Sequence, residues 1–152
     1  MKAKKRWRYY CDYCGKVGGS RGHMARHEES CTMNPARKCR MCHYCDQVQE
    51  DIEDIKNTIM EDANCFFERK VKDEKQKRWS IHPLDKISLY NTTKLTTCPA
   101  CTLAGIRQVD SEFSDDWFVE WDFDFKKEKD EMFKIYNDDK ADEFSRMIGP
   151  VY

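Results

Sequence analysis

Apolar residues along the 152-residue chain recur at helical spacing in three places. Between residues 46 and 78, Val48, Ile52, Ile55, Ile59, Ala63, Phe66 and Lys70/Val71 return every three or four positions with charges between them. That period predicts a long amphipathic helix, bent or in two pieces. Leu103, Ile106 and Val109 lie three apart and predict a shorter helix beginning at or just after Cys98-Pro-Ala-Cys101. The segment KKEKDEMFKIYNDDKADEFSRMI predicts a charged, moderately amphipathic C-terminal helix. Residues 117–125, WFVEWDFDF, change the period to two: Trp117, Val119, Trp121, Phe123 and Phe125 share one face, and Glu120, Asp122 and Asp124 the other. That alternation predicts a half-buried strand. A short strand is expected at Ile87–Tyr90, after a loop at Ser80–Asp85 around Pro83. Near the N-terminus, Gly18-Gly19 marks a turn and Ser20 is placed to N-cap a helix over Arg21–Glu29, which Asn34-Pro35 ends.

With 36% charged and 39% hydrophobic residues, these elements leave room for only a thin apolar core. Small chains of this kind need a metal or disulfide staple. Nine cysteines could supply it. The first residues, MKAKKRWRYY, are basic but lead into no apolar stretch, so they do not read as a signal peptide. No apolar run is long enough to span a membrane. An intracellular, cytoplasmic setting is therefore expected, where thiols stay reduced. In that setting an odd cysteine count with Cys-x2-Cys pairs reads as metal ligation.

Cys11-x2-Cys14-x12-His27-x3-Cys31 offers four tetrahedral ligands, two from a hairpin knuckle and two from one helix face. Tyr9 and Met24 take small-core positions around it, and Val17 falls one residue from a third, which is Gly18. His23 is the competing ligand, but its use would shorten the loop and strand Met24. Cys39-x2-Cys42 and Cys98-x2-Cys101 form a second set of four, with the residues between them looped out as an inserted helix. Cys42-x2-Cys45 overlaps the first pair, so Cys45 or His43 remains an alternative ligand. Cys65, beside Phe66, reads as a buried small hydrophobe.

Residues 9–31 resemble the Cys2His2-type zinc finger in its Cys2HisCys variant. The second cysteine set, whose later pair introduces a helix, looks like a zinc-ribbon or treble-clef arrangement. The run HEESCTMNPARKCRMC with the later CPACTLAGIRQ is similar to small zinc-finger proteins encoded by bacteriophages. Together they imply two Zn2+ ions and a small zinc-stabilised α+β fold. Its parts would be a basic arm (1–8), a ββα finger (9–35), a four-cysteine module with the inserted helix (36–125) and an acidic C-terminal helix or tail (126–152).

Charge then suggests a partner. The net charge of −1 divides into +8 over residues 1–45, −1 over 46–109 and −8 over 110–152. In a ββα finger, helix positions −1, 3 and 6 face the major groove. With His27 as position 7 these are Ser20, His23 and Arg26, with Arg21 at position 1. Lys4, Lys5, Arg6, Arg8 and Lys16 would meet phosphates and Trp7 could stack on a base. DNA or RNA is the expected partner. One finger reads only about three base pairs, so specificity calls for the second module, a homodimer or a protein partner. Gly22 also weakens the helix. The rival expectation is a protein-interaction adaptor built on structural zinc modules and an acidic surface. Neither an enzyme nor a small-molecule substrate is expected. Four-ligand, sulfur-rich sites leave no open position for water. No uncommitted His-x-Glu precedes Cys98-Pro-Ala-Cys101, as a zinc deaminase would need, and no histidine pair suits a His-Asn-His nuclease.

Overall fold

A hairpin of two short strands, β1 (Tyr9–Tyr10) and β2 (Val17–Gly18), starts the described chain; Tyr9 pairs with Gly18 and Tyr10 with Val17. The computed structural model describes residues 7–74, 86–112 and 120–148, of which 65–74, 145 and 148 are described by backbone alone. Gly15, at φ 68, supplies the left-handed residue that turns the hairpin. Its N–H donates to the Cys11 carbonyl and the Cys11 N–H donates to Lys16, both at 2.9 Å. Val17 faces solvent, and Gly18 leaves the space that the Met24 methyl fills: a Cβ there would lie 2.7 Å from Met24 Cε. The third small-core position is therefore taken by Met24 reaching across, with no side chain of its own.

Helix α1 (Arg21–Ser30) follows directly, with Ser20 as N-cap, its Oγ accepting from His23 N–H at 3.4 Å. The chain then turns through Asn34. Its side-chain amide donates to the Glu28 carbonyl at 2.7 Å, and its Oδ1 accepts from Ala36 N–H at 2.8 Å. Helix α2 (Arg40–Tyr44) is a single turn or so.

The long helix α3 (Ile52–Glu74) starts six residues later than the hydrophobic period predicts. Asp46 sits at φ 51, outside any helix, and Val48, which fits the period, is exposed. Asp51 Oδ1 accepts from Glu53 N–H at 2.8 Å and caps the true start. Residues 75–78 of the expected helix and the expected loop 80–85 lie outside the described residues, as does the side chain of Cys65. Ile52, Ile55, Ile59 and Ala63 are buried along one face. They meet helix α5 (Pro99–Glu112) where Gly105 removes the side chain that would collide with Ile55 and Ile59.

Among the described residues, the two expected strands meet at one contact. Ile87 and Trp121 form a single parallel bridge, through Ile87 N–H to Glu120 O and Asp122 N–H to Ile87 O, both 2.8 Å. Instead of continuing as strand, the chain enters helix α4 (Tyr90–Leu95). The Asp62 carboxylate on α3 accepts from the N–H groups of Asn91 and Thr92 and from Thr92 Oγ1, at 3.0, 3.0 and 2.8 Å. Those free N–H groups are the ones a helix start exposes. Residues 117–119 lie outside the described residues. From Glu120 the predicted facing persists, with Trp121 buried and Glu120, Asp122 and Asp124 exposed. The extended run still ends early, because Asp124 Oδ1 accepts from Lys126 and Lys127 N–H and starts helix α6 (Phe125–Ile148). The described protein is thus α-rich with one two-stranded sheet. Its main core joins Ile55, Ile59, Ile87, Leu89, Val109 and Met132 to five buried cysteines.

Candidate metal centres

The first centre forms where the hairpin meets the end of α1. Cys11 and Cys14 come from the knuckle; His27 lies in the last turn of α1 and Cys31 is its C-cap. Their ligand atoms all fall within 4.8 Å of one another. His27 Nε2 is 3.2 Å from Cys14 Sγ, so Nε2 is the nitrogen turned inward. Cys11 and Cys31 are buried with Met24 beneath them, while Cys14 is exposed. Burial pushes the Cys31 thiol up to about 11. At Cys14 burial also acts upward, but the His27 contact, the Lys16 backbone and the neighbouring sulfurs outweigh it and bring the thiol down to about 7. His23 is exposed and stands outside this cluster.

The second centre is enclosed. Cys39, Cys42, Cys98 and Cys101 are all buried and their sulfurs converge. Cys39 Sγ lies 3.6 Å from Cys98 Sγ, and Cys42 Sγ 3.5 Å from Cys101 Sγ. A disulfide would bring two sulfurs to about 2.05 Å. Four bonds of about 2.3 Å in a tetrahedron put them about 3.8 Å apart. The observed spacing is that of four ligands around one ion, and the donor set is compatible with zinc.

Local structure explains how 59 residues of chain separation close into this cluster. Cys39 N-caps α2, its sulfur 3.5 Å from Cys42 N–H, and Thr96 Oγ1 accepts from Cys98 N–H at 3.2 Å just before α5. Each pair is therefore presented at a helix start, where backbone N–H groups favour thiolates. Contacts with the neighbouring thiols favour charge on Cys39, drawing it far below its usual range, while the same neighbours push Cys42 and Cys101 far up. Four such groups cannot all ionise in a buried pocket without a cation among them.

Spacing did not reveal the residues that support the cluster. Buried Arg37 reaches Cys101 Sγ with Nη1 at 3.5 Å. Gln49 accepts from Cys39 N–H and donates to the Arg37 carbonyl at 2.8 Å. Both act from loops with no periodic signature, so only the fold brings them into view. Cys45 is buried nearby, its thiol raised by burial, and His43 is exposed on α2; neither joins the four converging sulfurs.

Contacts between the two centres run in part through the Thr32–Arg37 turn. Gln108 Nε2 donates to the Thr32 carbonyl at 2.7 Å and to the Asn34 carbonyl at 3.4 Å, and Arg107 Nη1 donates to Thr32 Oγ1 at 3.1 Å. Of the residues expected to meet nucleic acid, Trp7, Arg8, Lys16, Ser20, Arg21, His23 and Arg26 are exposed on or beside the first centre. Lys4, Lys5 and Arg6 lie outside the described residues. Arg26 Nε bends back to the Gly22 carbonyl at 3.3 Å, and the Arg26 carbonyl accepts from Arg40.

Part of the chain has a phage relative. Over 37 residues, 24% of this chain, it is 40% identical to defective intron-associated endonuclease 3 of Enterobacteria phage T4. The matched stretch is 38% of that protein's length. No protein-family profile and no solved structure matches the chain. Among the described residues, no helix is long and apolar enough to cross a membrane.

Proposed function

We propose that the protein binds two zinc ions and holds nucleic acid through its first zinc centre and basic arm, as a non-catalytic accessory or regulatory factor of a phage, working in the host cytoplasm. The observation that carries this reading is the convergence of Cys11, Cys14, His27 and Cys31 behind a helix that turns Arg21, His23 and Arg26 to solvent. Residues 9–35 would form the zinc finger and 36–125 a four-cysteine module, with Lys4, Lys5, Arg6, Arg8 and Lys16 on phosphates and Trp7 on a base. Both metals have a structural part in this reading, since each centre fills four positions with protein ligands. The partial likeness to a phage protein named as an intron-associated endonuclease supports the nucleic-acid setting. A second reading, a protein-interaction adaptor, draws on Phe144 and Met147, which stand 63% and 74% exposed near the end of α6.

The test is fluorescence anisotropy of the zinc-loaded chain with short duplex and single-stranded DNA and RNA, at about 50 and 200 mM salt. Binding should weaken steeply with salt and weaken further on Arg26→Ala or on neutralising Lys4, Lys5 and Arg6. No binding at the lower salt would leave both zinc centres as scaffolding and favour the adaptor.

A further inference from the structure

A cleft of about 640 Å³ opens between α4, the start of α5 and one face of α6. Asp122, Glu128, Glu131 and Asp139 line it, and no described residue lining it is basic. Leu89 and Met132 are buried at its floor, and Ile135 is 63% exposed at its edge. The side chains of Glu128, Glu131 and Asp139 have no hydrogen-bond or ion-pair partner among the described residues. Of the nearby cations, Lys140 is engaged by Glu143 at 3.3 Å and Asp46 at 3.7 Å, Lys86 by Glu120 at 2.8 Å, and Lys94 lies 3.9 Å over the Tyr90 ring. Uncompensated carboxylates around an apolar floor repel one another and favour an occupant that is cationic and carries an apolar ring or chain.

The chain contains such a segment. Residues 1–8, MKAKKRWR, hold five cations and a tryptophan. Trp7 is 84% exposed and does not line the cleft of its own chain, so its ring is available to another molecule. Residues 75–79, KQKRW, are a weaker match with three cations. We propose that the acidic cleft is the docking site for the N-terminal arm of a second copy, with the lysines among the four carboxylates and Trp7 against the apolar floor. Reciprocal exchange of the two arms would close a symmetric dimer. Resting on the nucleic-acid reading, the same contact would withhold the arm from phosphates until nucleic acid displaces it.

The experiment needs no nucleic acid, so its failure leaves that reading standing. Equal parts of isotope-labelled and unlabelled full-length, zinc-loaded chain are mixed and treated with a carbodiimide, which joins a lysine to a carboxylate in direct contact. Sedimentation is measured in parallel at about 50 and 500 mM salt. The expected result is a salt-sensitive dimer and mixed-isotope links from Lys2, Lys4 or Lys5 to Glu128, Glu131 or Asp139. The combined variant Glu128→Gln, Glu131→Gln, Asp139→Asn should weaken the dimer about tenfold or more. The equally neutralised control Glu61→Gln, Asp138→Asn, Asp142→Asn should change it less than about twofold. A monomer at both salts, links confined to single-isotope chains, links from Lys75 or Lys77 instead, or equal weakening by both variants would each overturn the proposal.

Discussion

Gly105 lets α5 lie directly against α3. An added Cβ would lie 2.6 Å from Ile55 Cγ2 and 2.7 Å from Ile59 Cδ1, both on side chains with no exposed surface. Gly105→Ala should therefore destabilise the protein by about 1–3 kcal/mol despite the better helix propensity of alanine. Urea unfolding checks this; a variant as stable as the parent would mean that the two isoleucines have room to shift. Asp110 gives a prediction in pH. Burial raises its carboxyl above the usual 3.8, while the Trp121 Nε1–H, donating at 2.9 Å, acts to lower it. The folded state then holds this proton more tightly than the unfolded state. Its carboxylate costs stability, and the cost appears as pH rises from about 3.8 through the raised value. Asp110→Asn keeps an oxygen for Trp121 without the charge. The variant's advantage in urea unfolding should grow across that window and stay flat above it; an advantage independent of pH would remove burial as the cause.

At the scale of elements, the four-cysteine cluster takes the place of a larger apolar core. It ties the start of α2 to the start of α5, and α5 is the helix on which α3 and α6 pack. Cys42→Ser should lose one zinc and much of the helical signal in far-UV circular dichroism. Cys14→Ser, at an exposed corner of the other centre, should lose one zinc and little helix. Native mass spectrometry with circular dichroism separates the two, and an equal loss of helix in both would contradict this division. The two Cys/His clusters were legible in the sequence because chelation demands short fixed spacings, and α3 and α5 because burial imposes a helical period. Boundaries were less legible because they depend on polar contacts. Val48 keeps the period yet is exposed, and the helix waits for Asp51. The alternation through Phe125 looked like strand, but Asp124 caps a helix within it. The start of α4 depends on Asp62, 28 residues before Tyr90, which no local pattern could announce.

Across the whole molecule, the two centres are linked by a short turn held against α5. Gln108 is buried and its amide serves the carbonyls of Thr32 and Asn34. Gln108→Ala should cost about 1–2 kcal/mol. Hydrogen exchange should speed up at the Asn34 and Arg37 amides while both zinc ions stay bound; unchanged protection there would show that the turn holds itself. The order of ligands along the chain has a consequence during synthesis. The first set is complete once Cys31 has emerged, but Cys39 and Cys42 must wait for Cys98 and Cys101. At about 5–20 residues per second, translation leaves those two thiols without partners for several seconds. By then the first centre can already have taken its ion, which removes Cys11, Cys14 and Cys31 from competition. A nascent chain made in this order has few wrong cysteine partners left to choose.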